Sequence, residues 1–370
     1  MIFLTIISFI VIFSLLVLVH ELGHFTAARR SGIKVEEFGI GLPPKILTIR
    51  KDKTGTAYTL NWIPFGGFVR LFGEDSFDPK ILKNKHSFAS KTLLQRTFVV
   101  VAGVLMNFIL AWLLVTLGFT VGMKPFLATQ SDVDKAVASG IVETRPVFYV
   151  HEIDPQLPLA KSELKKGDYI ISVNGMPVGE TLKLGDVILP NTLNTLAFLH
   201  EGREKALMTP SDAQGKLGMT ISLEHYILHV NEIRYPFYVA PFKAIGEVGR
   251  LSVLTVRMLG DVVRSLVTKL TVPEGVAGPV GIARMTHTFA QQGFMALVQF
   301  TAILSLSLAV INIMPFPALD GGRLLFIVFE LVLRRRLNAK WEAITHSVGY
   351  ALLMLLILVI TWNDVLNLIR

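Results

Sequence analysis

Two histidines four residues apart, with a glutamate beside the first, set the chemistry open to this chain: His20-Glu21-Leu22-Gly23-His24. On an α-helix, positions i and i+4 share a face, so both imidazoles reach one divalent cation and the glutamate beside them serves as a base. Such a set hydrolyses amide bonds, the cation acting as a Lewis acid and the carboxylate taking a proton from water. A catalytic zinc takes three protein ligands and keeps one position open, so a third His or carboxylate must come from elsewhere. The chain has no cysteine, which excludes thiolate ligands and disulfides and leaves any transition metal to His and carboxylate groups.

The element that positions the motif is unusual. Residues Met1 to Val19 form an uncharged apolar run that leads directly into His20. Ionisable groups cost roughly 2.5–3.5 kcal/mol each at the centre of a membrane helix on insertion scales, so they mark function there. A cleaved signal peptide would need a basic n-region and a small-residue cleavage site. No basic residue precedes this run, and it ends in His-Glu. Three more uncharged runs follow, Thr97–Gly122, Thr288–Leu319 and Ser347–Asn363. With 52% hydrophobic and 17% charged residues, the chain is expected to be a polytopic α-helical membrane protein with about four spans.

The net charge of +8 is unevenly spread. Between Arg29 and Arg96 there are 13 Lys/Arg against 6 Asp/Glu, a balance of +7, whereas residues 124–284 hold 17 of each. Arg334, Arg335, Arg336 and Lys340 form a second basic cluster. Lys and Arg collect on cytoplasmic loops, so these two regions are expected inside, with both termini and the 124–284 segment outside. The basic residues serve topology and form no recognisable nucleic-acid module.

The third ligand is expected in Asn312-Ile-Met-Pro-Phe-Pro-Ala-Leu-Asp-Gly-Gly322, where Asp320 supplies the carboxylate. Pro315 and Pro317 break the helix, and the glycines permit unusual backbone angles. Irregular backbone at membrane depth survives only when buried in protein or lining a wet cavity. Depth agrees with this pairing. His20 lies about 28 Å along its span at 1.5 Å per residue, and Asp320 lies near the inner end of a span beginning at Phe294.

An HExxH on the first span with a later Asn-x-x-Pro-x-Pro-x-Leu-Asp-Gly segment resembles the site-2 protease family of intramembrane zinc metalloproteases. Its bacterial RseP-like branch, with an inserted PDZ domain, is the most similar. Pro64-Phe-Gly-Gly-Phe-Val-Arg70 with Gly73-Glu74 resembles that family's membrane-associated β-hairpin, and Gly278-Pro-Val-Gly-Ile282 its segment before the third span. The resemblance implies Zn2+ held by His20, His24 and Asp320, with Glu21 as general base. Segments Ala57–Trp62 and Gly67–Leu71 are candidate edge strands that could hold an unwound substrate by strand addition. Gly66 and Gly67 are substrate-contact candidates, or an ordinary turn. Asn312 either donates to substrate backbone or makes an interhelical hydrogen bond. The family's usual Gly-Pro ahead of a second-span Asn is Gly103-Val104 here, which weakens a substrate role for Asn107.

Asp154-Pro-Gln-Leu-Pro-Leu-Ala160, Leu164-Lys-Lys-Gly-Asp168 and a strand closing on Asn174-Gly175 resemble one α+β PDZ domain, binding peptide or blocking access. The expected organisation is a membrane core over 1–123, the PDZ domain over 124–241, an amphipathic connector over 242–287 and a membrane core over 288–370. The connector lies on the outer membrane surface or packs on the PDZ domain. His86, His151, His200, His225, His229, His287 and His346 have no ligand spacing and read as surface or core residues.

The resemblance implies substrates that are single-span proteins of the bacterial inner membrane, shortened on their outer side, such as anti-sigma factors or remnant signal peptides. The competing class is a non-catalytic PDZ-bearing receptor or chaperone with structural zinc, which would want a fourth protein ligand. A metal transporter would want ionisable groups along a path, and the interiors of the second and fourth runs carry none.

Overall fold

The computed structural model describes residues 2–74, 78–269, 276–335, 337 and 339–369. Arg336 of the second basic cluster and residues 270–275 of the expected connector lie outside the described residues. The chain divides into two compact units, one of Met1–Met123 with Arg234–Arg370 and one of Lys124–Ile233.

In the first unit, α1 (Ile2–Arg30) runs into a paired sheet of β1 (Val35–Lys51) and β2 (Ala57–Leu71). A short α2 (Pro79–Leu82) precedes α3 (Leu93–Val121). The rest of the unit is α6 (Ala240–Lys269), α7 (Pro279–Gln292), α8 (Phe294–Ile313), α9 (Asp320–Leu333) and α10 (Ala339–Ile369). Four of the described helices, α1, α3, α8 and α10, are long and apolar enough to cross a bilayer. Local chemistry sets their ends. Arg29 and Arg30 occupy the last turn of α1, where cations complement the helix dipole. Thr92 and Gln95 form a reciprocal capping box at the start of α3, satisfying two orphan donors.

Each strand of the hairpin is folded in half. Val35–Ile40 pairs with both Gly67–Leu71 and Ala57–Leu60, while Lys45–Lys51 pairs with Ala57–Asn61. The result is four segments in the order 45–51, 57–61, 35–40, 67–71, bent at Gly41–Pro44 and near Gly66. Both glycines have positive φ, 79° and 70°. The connecting turn is clamped by Asp52, which accepts from the N–H groups of Thr54 and Thr56 and pairs with Arg29 at the end of α1. The Thr54 hydroxyl, then these backbone and arginine donors, hold the Asp52 carboxyl down at about 2.

Gly66 therefore stands at the second bend, and Gly67 opens the segment that follows it. They lie within β2, where an added Cβ would press on Val17 and Leu18 of α1, so their smallness lets strand and helix meet. The third apolar segment divides at its prolines, as expected, and Asp320 falls beyond the span that begins at Phe294. Pro315 and Pro317 cannot continue the ladder, so α8 stops at Ile313 and Asp320 opens the separate helix α9.

Packing inside this unit is close. Phe25, Ala28, Val35, Leu71, Val99 and Ile327 join α1, the sheet, α3 and α9 in one buried cluster. Arg96 of α3 pairs with Glu330 of α9, both nearly buried, and Glu330 also accepts from Leu337 N–H. The Gly278-Pro-Val-Gly segment starts α7, where Gly281 N–H donates to buried Asp364 of α10 at 2.8 Å. Helix α6 packs on the membrane core: Ala240 and Ala244 are buried, and Trp112 of α3 donates to Pro241 O. Its other apolar residues, among them Phe242, Ile245 and Met258, stay exposed.

The second unit holds α4 (Gln130–Ala138), β3 (Val142–Ile153), β4 (Tyr169–Val173), β5 (Met176–Pro177), α5 (Leu184–Val187), β6 (Leu193–His200), β7 (Arg203–Pro210) and β8 (Met219–Val230). Its antiparallel sheet has the order β7-β6-β4-β3-β8, with β5 on β4. Asn174 and Gly175 both take positive φ between β4 and β5, the Asn-Gly hairpin turn. Val150, Leu164, Ile170, Leu196 and Phe198 fill the core. This unit ends at Ile233 and not at 241. Tyr235 N–H already donates to Phe119 O of α3, at 2.7 Å.

Candidate metal centre

His20 and His24 stand one turn apart on α1, and Asp320 reaches them from the first turn of α9. Their ligand atoms all lie within 4.8 Å of one another. Asp320 Oδ2 is 3.0 Å from His20 Nε2 and 3.2 Å from His24 Nε2, and the two Nε2 atoms are 3.1 Å apart. The structure thus brings together the three residues singled out for metal binding.

Protons decide what that cluster can hold. His24 Nδ1 lies 2.8 Å from the carbonyl of Val99. A carbonyl only accepts, so Nδ1 carries the hydrogen and the neutral ring presents a bare lone pair at Nε2. Asn107 Nδ2 lies 3.3 Å from His20 Nδ1, and the buried Oδ1 of the same amide has no hydrogen-bond partner among the described residues. Exchanging the amide's O and N, which leaves its shape unchanged, gives the orphaned Oδ1 a donor in His20 Nδ1–H, and in that arrangement this ring too presents Nε2 as a lone pair. Two imidazole lone pairs and one carboxylate oxygen then converge with no proton between them. That donor set fits a divalent cation of zinc type, and the partners behind each ring are those that fix metal-binding tautomers.

Close approach of α1 and α3 makes this geometry possible. A Cβ on Gly23 would run into the Ala102 carbonyl, and one on Gly103 into the His24 ring. Small residues let membrane helices meet backbone to backbone. Helix α3 runs unbroken through Asn107, and Ser305 of α8 donates to the Asn107 carbonyl at 2.9 Å. Gly103→Ala is expected to lower metal content and activity together by roughly tenfold or more, since overpacking costs about 1–3 kcal/mol. Helix propensity favours alanine there, so retained helicity with reduced metal content, measured by circular dichroism and atomic absorption, would mark a local effect.

Glu21 lies beside the cluster. Its Oε2 accepts from Val69 N–H at 3.0 Å, an amide on the outer edge of segment 67–71, while Val69 itself pairs with Phe38 on the inner side. Glu21 therefore stands beside the candidate metal cluster and holds a strand that packs on α1. A cavity of about 740 Å³ opens next to it, walled in part by His24, Asp320, Arg323, Glu74 and His346. Arg323 pairs with Glu74 across it. This polar volume can admit the water that hydrolysis consumes.

Other singled-out residues stand elsewhere. Asn312 is partly buried in the last turn of α8, ahead of the turn that carries Asp320. Gly66 and Gly67 face α1, two or three residues before Val69. Asn107 is a buried polar group inside an apolar run, which is a functional signal by default, whereas His346 stands just before the run Ser347–Asn363 and carries no such mark. Val69 N–H and Val99 O are backbone atoms, which no residue-type pattern reveals.

Comparison with known proteins adds a family. The model of peptidase family M50 matches residues 8–356. A putative zinc metalloprotease of Clostridium acetobutylicum is 31% identical, covering 98% of each chain. The zinc metalloprotease RasP of Geobacillus kaustophilus is 29% identical over 98% of this chain and 97% of its own. The regulator of sigma-W protease RasP of Bacillus subtilis is 29% identical over 98% of each.

Proposed function

Since the chain belongs to peptidase family M50, we propose that its site residues divide the work of peptide hydrolysis inside a membrane. It is a zinc metalloprotease of the site-2 type, a multi-pass bacterial membrane protein acting in regulated intramembrane proteolysis. His20, His24 and Asp320 hold the metal, and Glu21 is the general base. The observation that carries this assignment is the convergence of His20 Nε2, His24 Nε2 and Asp320 Oδ2 beside Glu21 on a helix apolar enough to span a bilayer.

Zn2+ bound there supplies Lewis acidity toward water and the scissile carbonyl. The chain's own groups do the rest. Glu21 takes a proton from the attacking water and returns it to the leaving amine, and the Val69 amide keeps its carboxylate in place meanwhile. Segment 67–71 offers an edge on which an unwound substrate can form backbone bonds with little sequence demand. Gly66 and Gly67 keep that edge close to α1, and Asn312 is a candidate donor to the substrate backbone. Asn107 and Val99 hold the two imidazoles in their metal-binding orientation. The only metal-type cluster among the described residues has three ligands, which favours catalysis over a closed structural site.

Substrates in this proposal are single-span proteins of the inner membrane, including anti-sigma factors, already shortened on the outer side, or remnant signal peptides. The basic balance of residues 29–96 supports placing the metal site toward the cytoplasm. The neutral 124–284 segment and both termini then lie outside. The unit Lys124–Ile233 is a PDZ domain in this scheme, supported by its Lys165-Lys-Gly-Asp168 loop leading into β4 and its Asn-Gly turn. Mass spectrometry of products from a trimmed single-span reporter in liposomes should place the cut within the apolar segment. A cut confined to flanking polar sequence would overturn the intramembrane assignment.

A further inference from the structure

We propose that His346, on the last span, is a positioning residue for the metal ligand Asp320. Resting on the zinc assignment above, the proposal concerns the turn that delivers the carboxylate. After the prolines end α8, residues 314–319 must cross to the start of α9 with few internal bonds, among them Phe316 N–H to Met314 O at 2.7 Å and Leu319 N–H to Phe316 O at 3.2 Å. Between these, Ala318 takes φ 80°, a left-handed conformation that an alanine adopts only under constraint. The constraint comes from α10: Ala318 N–H donates to His346 Nδ1 at 3.0 Å.

The acceptor role sets the ring's proton. Nδ1 must be bare, which places the hydrogen of the neutral ring on Nε2. Phe326 of α9 holds the ring from another side, with centroids 5.6 Å apart. Three residues along α10, on the same helix face, Gly349 lies directly against Pro317. A Cβ there would overlap the Pro317 ring and carbonyl. A hydrogen bond and a glycine notch thus grip two consecutive residues of the turn, 317 and 318, just ahead of Asp320.

The grip matters because little of the apolar length of α10 is buried. Only 6% of its apolar window is buried, against 44% for α3 and α8. Another polar contact is made by Asp364, which accepts from Gly281 N–H far along the helix. Of the contacts that the last span makes, this one shapes the path of a metal ligand.

The test is zinc affinity of the purified full-length protein, measured by chelator competition. Asparagine is the informative replacement for His346, because its Oδ1 sits at the same bond count from the backbone as a histidine Nδ1. A glutamine Oε1 sits one bond further out. His346→Asn is expected to keep near wild-type affinity, and His346→Gln and His346→Ala to weaken it about 10–100-fold, the range for groups that orient a ligand. Ala318→Gly added to His346→Ala should recover part of the loss, since glycine adopts positive φ freely. Should the Ala variant fail to fold, the Asn and Gln pair still decides. Equal affinities for Asn and Gln variants, or wild-type affinity in His346→Ala, would overturn the positioning role alone. A wild-type protein that bound no zinc would instead bring down the metal assignment itself.

Discussion

Glu21→Gln is expected to abolish detectable cleavage of a trimmed single-span reporter while zinc content stays at the wild-type level. The substitution keeps shape and leaves an amide oxygen to accept from Val69 N–H, so the bond now spanning 3.0 Å from strand edge to helix α1 can persist. What disappears is a group able to take and return a proton. General acid–base catalysis contributes about 10²–10⁴-fold, and the loss here should lie at or beyond that range because the same group acts at both ends of the reaction. Reporter turnover in liposomes, with zinc measured on the same preparation, provides the check. Equal turnover by both proteins would sink the assignment of Glu21.

The second large effect is expected at Asp320. Asp320→Ala removes the one carboxylate in the cluster, the oxygen now 3.0 and 3.2 Å from the two imidazole nitrogens. Two neutral His ligands on one helix are left, short of the three a catalytic zinc site uses. Zinc stoichiometry should fall close to zero and cleavage with it. Stability offers an independent readout, because a ligand that binds only the folded state stabilises it by about 2.7 kcal/mol at a hundredfold excess over Kd. Chelator should therefore lower the Tm of the wild type and leave that of Asp320→Ala unchanged. Stoichiometric zinc in the variant would show that the third ligand lies elsewhere.

Much of the site was legible in the chain because it is local. A four-residue spacing puts His20 and His24 on one helix face whatever surrounds them. Long uncharged runs predict spans from length alone, and four such helices are present. Pro315 and Pro317 break a helix wherever they occur, so the irregular segment before Asp320 was predictable. The location of the break was less so, since Asp320 opens a helix of its own. The hairpin was legible as edge strands, but not its fold-back into four segments, which depends on two bends closing against α1.

Residue type, spacing and hydropathy were enough to single out His20, Glu21 and His24, the apolar helices, and Asp320 as a candidate partner; their roles came from the family resemblance. Those properties act over a few residues. The partners that orient the set came from packing alone: the Val99 carbonyl on His24, Asn107 on His20, the Val69 amide on Glu21, and His346 on the turn before Asp320. Each pair joins atoms 28 to 87 residues apart, and three of the four use a backbone atom. Backbone donors and acceptors are the same at nearly every residue, so the packing of the helices, and no property of the residues taken singly, selects the ones that count.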